Sequence, residues 1–277
     1  MKWKNGARAV MTLCFDDGLR DTYKLTRELL SDYGIRATYF VPTAFVGESF
    51  YGFPSMSWSD LRECVHSGME IGSHSVSHSE YSTSVSTKIR RVLENLAAEE
   101  SKVGYLNYLL GLMGRNVAKG RSHAICRNDD IQSEIALSKE VLERELAPYR
   151  VTSFAYPRGS VTRNIQKLVE RSRYSSARTT VVGLNNPDRM NFLSLKCKVW
   201  RHYTDVSMMN RWLDRALATE AWLIELFHRV SNDPGDAPEA CQLNQLRAHL
   251  EYAAEKEVWI DTQHNVVDHT RSSRGEV

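Results

Sequence analysis

Short apolar runs alternate along this chain with longer stretches whose apolar residues recur at helical spacing. Arg8-Ala-Val-Met-Thr-Leu-Cys-Phe15 reads as a buried strand, and Asp16-Asp17-Gly18 ends it in a sharp turn. From Asp21 to Tyr33 the apolar positions Leu25, Leu29 and Leu30 follow a helical period, which Gly34 stops. Ala37-Thr-Tyr-Phe-Val41 is rich in strand formers and ends at Pro42. Ser57-Trp-Ser-Asp60 has the form of a helix start, with Leu61, Cys64 and Val65 as the inner face before Gly68. The short segment Gly68-Met-Glu-Ile-Gly72 then leads to His74. Further strands are predicted at Val151–Tyr156, Tyr174–Ala177, Leu193–Trp200, Ala221–Phe227 and Val258–Asp261. Helices are predicted at Asn164–Arg173, Met208–Thr219 and Leu243–Glu257. Repeated strand-then-helix order implies an α/β fold of parallel strands with helical crossovers, whose chemistry collects at the carboxyl ends of the strands. The pattern alone does not separate a barrel from an open sheet.

One region departs from the repeat. Residues 83–130 hold an amphipathic stretch, Lys88 to Glu100, an apolar patch, Tyr105 to Met113, and a basic stretch, Arg115 to Arg127. They read as a helical insertion, with three roles open: a surface hairpin, a substrate lid, or a contact forming a homo-oligomer. The rest of residues 1–267 reads as one domain, and the polar tail 268–277 is expected to be disordered.

The strand-end residues carry the chemistry. Neighbours on a regular strand point to opposite faces, so Asp16 and Asp17 can share a site only where the strand breaks, which Gly18 permits. One carboxylate could then bind a metal while the other handles a proton. In His74-Ser-Val-Ser-His78, a helical turn or a loop can bring both imidazoles together. Two neutral imidazoles and a carboxylate suit Zn²⁺ or a similar divalent ion (Co²⁺, Ni²⁺ or Mn²⁺), with coordination positions left for water. Read separately, the first motif is an ordinary turn and the second a polar loop; both at strand ends, they point to a metal site. His228 ends the strand Ala221–Phe227 and falls at the same end of the sheet. The other histidines lack supporting spacing.

Bulk properties narrow the classes. At 277 residues and 42% hydrophobic content the chain can bury a substantial core. A net charge of +2 with mixed signs gives no electrostatic case for nucleic acid. No apolar run is long enough for a transmembrane segment. The N-terminus carries no signal-peptide core, so the expectation is a cytoplasmic protein if the sequence is full length, and an exported one if a signal segment was removed. The five cysteines are scattered and read as reduced thiols. Cys14 is either a nucleophile or a small buried strand residue.

Cys14-Phe-Asp-Asp-Gly18 resembles the T-F-D-D-G motif of the polysaccharide deacetylases, the NodB-homology or carbohydrate esterase family 4 enzymes. His74-Ser-Val-Ser-His78 is similar to their H-[ST]-x-x-H motif, Phe154-Ala-Tyr-Pro-Arg-Gly159 to their third, and Leu223-Ile-Glu-Leu-Phe-His228 to their last. The resemblance implies a distorted (β/α) barrel of seven or eight mainly parallel strands. It implies one divalent metal held by Asp17, His74 and His78, with Asp16 as general base and His228 as general acid. The implied reaction removes an N-acetyl or related N-acyl group from an amino sugar in a glycan or glycoconjugate, a metal-bound water attacking the amide carbonyl. The third motif departs from the commoner F-R-P-P-Y-G: Ala155 stands where an arginine would orient the base. Arg178 is a candidate substitute, and Tyr156 and Arg158 are candidates for substrate or oxyanion contacts. Asp205 is a weak candidate for orienting His228. Trp200, Trp222 and Trp259 could stack on a sugar, although strand tryptophans usually belong to a core. Alternatives are a deformylase or amidase of the same fold acting on a non-polymeric substrate, a metallophosphoesterase, and a non-catalytic carbohydrate-binding barrel.

Overall fold

The computed structural model describes residues 3–81, 128–233 and 240–276. Strand β1 (Ala9–Phe15) and β2 (Thr38–Val41) are followed by a small hairpin, β3 (Ser49–Phe50) and β4 (Phe53–Pro54). Then come β5 (Glu70–Ser73), β6 (Ser153–Ala155), β7 (Ser176–Val182), β8 (Leu195–Trp200) and β9 (Trp222–Phe227). A parallel pair, β10 (Arg229–Ser231) and β11 (Ala240–Gln242), precedes β12 (Val258–Ile260).

Strands β1, β2, β5, β6, β7, β8 and β9 pair in that order, all parallel, and β9 pairs back to β1, closing a barrel. Strand β9 occupies one edge of β1 from Val10 to Phe15. The other edge is shared: β12 pairs with Ala9–Met11 and β2 only with Cys14 and Phe15. The eighth strand thus wedges into the β1–β2 seam, which gives the distorted barrel of seven or eight parallel strands that the resemblance implied.

Strand alternation sorts the side chains into two shells. Val10, Cys14, Phe40, Ala155, Cys197, Val199, Trp222, Ile224 and Leu226 fill the barrel interior. Met11, Leu13, Phe15, Tyr39, Ile71, Phe154, Leu223 and Phe227 face outward under the helices, which contribute Leu29, Leu61, Ile135, Val169, Leu213 and Leu250. Each such large apolar side chain stabilises the fold by about 1.5–3 kcal/mol when fully buried.

Local signals set most element starts. Ser57 caps the helix Trp58–His66 through a capping box with Asp60. The expected strand at Tyr174–Ala177 lies further along, at Ser176–Val182, and Leu193 belongs to a single 3₁₀ turn before β8. The helix Asn128–Glu145 was not anticipated, although Ile131, Ile135, Ser138 and Leu142 are buried at helical spacing.

The expected disordered tail requires correction. The helix Gln263–Arg274 runs through most of it, capped by Thr262 at one end and by left-handed Gly275 at the other. It buries Val266, Val267 and Thr270, while Arg271 donates to the Ser175 carbonyl and Arg274 to that of Pro187. A polar helix needs only one narrow apolar edge when long arginine side chains lie along the surface it covers. The insertion's three stretches (Lys88–Glu100, Tyr105–Met113, Arg115–Arg127) lie outside the described residues; residues 128–130 begin the helix Asn128–Glu145. Among the described residues, no helix is long and apolar enough to cross a membrane, and Cys14, Cys64, Cys197 and Cys241 are buried free thiols.

Candidate active site

The even-numbered residues of β1 point into the barrel, so Asp16 is the next inward position after Cys14. Its N–H donates to the Phe227 carbonyl at 2.9 Å, extending the β1–β9 ladder by one step. The chain then breaks. Asp17 adopts φ 70° and Gly18 φ 59°, left-handed geometry that Asp and Gly tolerate better than other residues. This turn returns the Asp17 carboxylate to the same mouth, so adjacent carboxylates share one site.

His74 follows β5 at an inward position, its N–H donating to the Val41 carbonyl at 3.0 Å. A loop rather than a helical turn then carries the chain to His78. Ser75 (φ 66°) and His78 (φ 56°) are left-handed, and the His78 N–H donates to Ser75 Oγ at 3.0 Å. Glu134, from the helix Asn128–Glu145, clamps this loop. Its Oε2 accepts from the N–H groups of Val76 and Ser77 at 3.1 and 2.8 Å, and its Oε1 accepts from Ser77 Oγ at 2.8 Å.

Asp17 Oδ1 stands 3.6 Å from His74 Nε2 and 3.5 Å from His78 Nε2. Ligands about 2.1 Å from a tetrahedral Zn²⁺ would be separated by roughly 3.4 Å. Asp17 Oδ1 is buried and, among the described residues, has no hydrogen-bond donor. Burial, then the neighbouring Asp16 charge, pushes the Asp17 carboxyl well above its ordinary range, with Arg158 and Arg178 opposing. Burial also lowers His74 to about 3, so its imidazole is neutral. Its Nδ1–H donates to the Ala155 carbonyl at 2.8 Å, which leaves the Nε2 lone pair facing the two carboxylates, 3.6 Å from both Asp17 Oδ1 and Asp16 Oδ2. An orphaned carboxylate oxygen, a neutral imidazole with its tautomer fixed, and this spacing fit a divalent cation.

Asp16 is held differently. Arg178 Nη2 donates to Asp16 Oδ1 and Oδ2 at 2.5 and 2.6 Å, with both side chains buried. Burial disfavours the guanidinium charge, but the Asp16 carboxylate outweighs it and raises the Arg178 pKa. The β6–β7 register pairs Ala155 with Arg178. The guanidinium missing at position 155 is therefore supplied from the adjacent position one strand over. His228 follows β9 at an inward position; burial lowers it to about 3, partly opposed by Asp16 and reinforced by Arg201. Its resting imidazole is therefore neutral.

Other candidates fall elsewhere. Both Tyr156 donors, proposed for substrate or oxyanion contacts, are engaged within the fold: its N–H donates to the Arg178 carbonyl and its hydroxyl to the Leu193 carbonyl, each at 3.0 Å. Its ring packs outside the barrel against Phe154, because position 156 has outward parity. Arg158 sits at the mouth, exposed, with Nη2 donating to the Tyr51 hydroxyl at 3.3 Å. Asp205 caps the helix Val206–Ala218 through the Met208 N–H. Trp200 and Trp222 are core, and Trp259 packs against His269 near the amino-terminal end of β1. Burial raises the Cys14 thiol well above its ordinary range, as for an inert strand residue. Sequence reasoning missed Glu134, and also Arg201, which directly follows β8; the strand-end rule would have found the latter.

The sequence model described as Polysaccharide deacetylase matches residues 4–177. No curated protein matches the chain by sequence. A putative polysaccharide deacetylase from Mycobacterium smegmatis is similar in structure, with TM-score 0.61, 12% identity, and coverage of 99% of this chain and 94% of that one. The Xyl-CE4 domain of a multidomain xylanase from the hindgut metagenome of Trinervitermes trinervoides gives TM-score 0.52, 14% identity, and coverage of 96% and 91%. The Streptococcus pyogenes deacetylase PplD in complex with acetate gives TM-score 0.47 and 20% identity. That match covers 67% of this chain and 62% of PplD, less than two thirds of its length. With the family's sequence pattern running from before β1 into β7, and a closed parallel barrel beneath it, this chain belongs to the polysaccharide deacetylase family.

Proposed function

We propose that the chain is a metal-dependent N-deacetylase acting on an N-acetylated amino sugar in a glycan or glycoconjugate. The observation that carries this reading is the pairing of two differently held carboxylates. Asp17 Oδ1 lies 3.5–3.6 Å from two imidazole nitrogens, while both Asp16 oxygens are engaged by Arg178. Asp17, His74 and His78 would hold one divalent ion, and the donor set favours Zn²⁺. Such an ion, when bound, polarises an acyl carbonyl and lowers the pKa of water from about 16 towards 7.

The chain's own residues supply the rest. Arg178 holds both Asp16 oxygens in place at the mouth, where Asp16 would accept a proton from the attacking water. His228, neutral at rest, takes a proton from solvent as negative charge develops beside it and passes it to the departing nitrogen, while the proton that Asp16 accepts from the attacking water returns to solvent. The outward-facing helices and the packed interior leave the barrel mouth as the place where substrate meets these groups.

Metal analysis should find about one divalent ion per chain, lost in His74→Ala; two tightly bound ions would indicate a phosphoesterase. Acetate release from N-acetylglucosamine oligomers should vanish in Asp16→Asn with the metal retained. If the wild type binds metal yet hydrolyses no member of an acyl-amide and ester panel, the enzymatic reading is wrong.

A further inference from the structure

We infer that the β3–β4 hairpin is a saccharide-binding platform, with the Tyr51 ring stacking on a pyranose ring of the substrate. The inference rests on the proposed deacetylase function and names a subsite beside its reacting centre.

The hairpin turn consists of Tyr51 and Gly52, at φ 49° and 90°. Two successive left-handed residues joining paired strands call for Asn or Gly at the first position, not a bulky aromatic. Local turn chemistry therefore does not select Tyr51. Burial does not select it either: the residue is 61% exposed, and among the described residues only Leu137 is another exposed large hydrophobic. An exposed ring in an unfavourable backbone conformation needs a different reason to be there.

Its location supplies one. Phe50 packs edge-on against the His78 ring at 5.1 Å and against the Tyr51 ring at 4.5 Å, so Tyr51 is two ring contacts from a proposed metal ligand. The Tyr51 hydroxyl accepts from Arg158, whose charge also acts on Asp17. On the other strand, the Arg229 guanidinium lies 3.9 Å from the Phe53 ring centre, and Arg229 directly follows His228. The hairpin base is tied to the aspartate turn, with the Met56 N–H donating to the Gly18 carbonyl at 2.8 Å and Leu19 bridging Ser55. The hairpin thus borders the mouth from the His78 side to the His228 side and is anchored at both.

An aromatic face beside a guanidinium suits a pyranose, which offers an apolar C–H face and hydroxyls at its edge. The Arg158 guanidinium, already donating to the Tyr51 hydroxyl, can also donate to those hydroxyls.

The test titrates the whole chain with a pentasaccharide of N-acetylglucosamine, comparing wild type with Tyr51→Asn and Tyr51→Phe. Tyr51→Asn should weaken binding about tenfold while raising the thermal midpoint, because Asn suits the turn. Tyr51→Phe should stay within about threefold of wild type. A residue serving only the fold would move affinity and thermal midpoint together. Undetectable wild-type binding, or unchanged affinity in Tyr51→Asn, overturns the platform. Saccharide binding with no acetate release overturns the deacetylase reading and leaves the platform standing.

Discussion

Removing Arg178 should expose how much of the site's architecture rests on one buried ion pair. Arg178 and Asp16 are both buried, and one guanidinium nitrogen contacts both carboxylate oxygens at 2.5 and 2.6 Å. For charge centres about 3.5 Å apart, an effective dielectric of about 20 gives roughly 5 kcal/mol of attraction. Most of that offsets the cost of desolvating both ions, so the pair contributes little relative to two apolar residues. Breaking it from one side is different: Arg178→Met leaves a buried carboxylate without its cation and should cost about 3–5 kcal/mol. Asp16→Asn leaves the guanidinium unpaired and should also destabilise. The double variant should be more stable than the two single losses imply, by at least about 2 kcal/mol. Urea unfolding of all four proteins under chelator measures the cycle without metal stabilisation. Additivity within about 0.5 kcal/mol would refute the claim that Arg178 exists here to hold Asp16.

Three further outcomes follow from the geometry. Glu134→Ala removes the acceptor for the Val76 and Ser77 N–H groups, so Zn²⁺ affinity should fall roughly 10–100-fold in a chelator competition; unchanged affinity would show that the clamp does not position His78. Gly159 has φ 65°, and an added Cβ would meet the Thr180 N at 2.6 Å, so Gly159→Ala should lose about 2–4 kcal/mol in denaturant unfolding. Burial raises the Glu70 carboxyl above its ordinary 4.5, although Thr38 and the His264 N–H donate to it. The folded state then holds that proton to higher pH than the unfolded state, so this stabilisation is complete below pH 4.5 and disappears as pH rises through the raised value. Glu70→Gln should flatten that decline in thermal midpoint, and parallel pH curves for the two proteins would contradict the assignment.

Much of this protein follows from local sequence. Strand and helix order is set by apolar periodicity and by caps such as Ser57, because those signals act over a few residues. The Asp17, His74 and His78 group was legible because each motif sits at a strand end, where parallel α/β folds place their chemistry. The helix Gln263–Arg274 was misread because its burial comes from barrel surface that no local pattern records. Tyr156 was misread because strand parity turns it outward, and parity depends on where β6 begins.

The residue that holds Asp16 could be suspected from sequence but not chosen. Arg178 lies 162 positions from Asp16, and only the β6–β7 register sets it beside Ala155. Sequence by itself determined the residue types and the strand ends that could bring them together. Tertiary structure decided which carboxylate keeps an unpaired oxygen and which is clamped, because that depends on pairing across strands rather than along one.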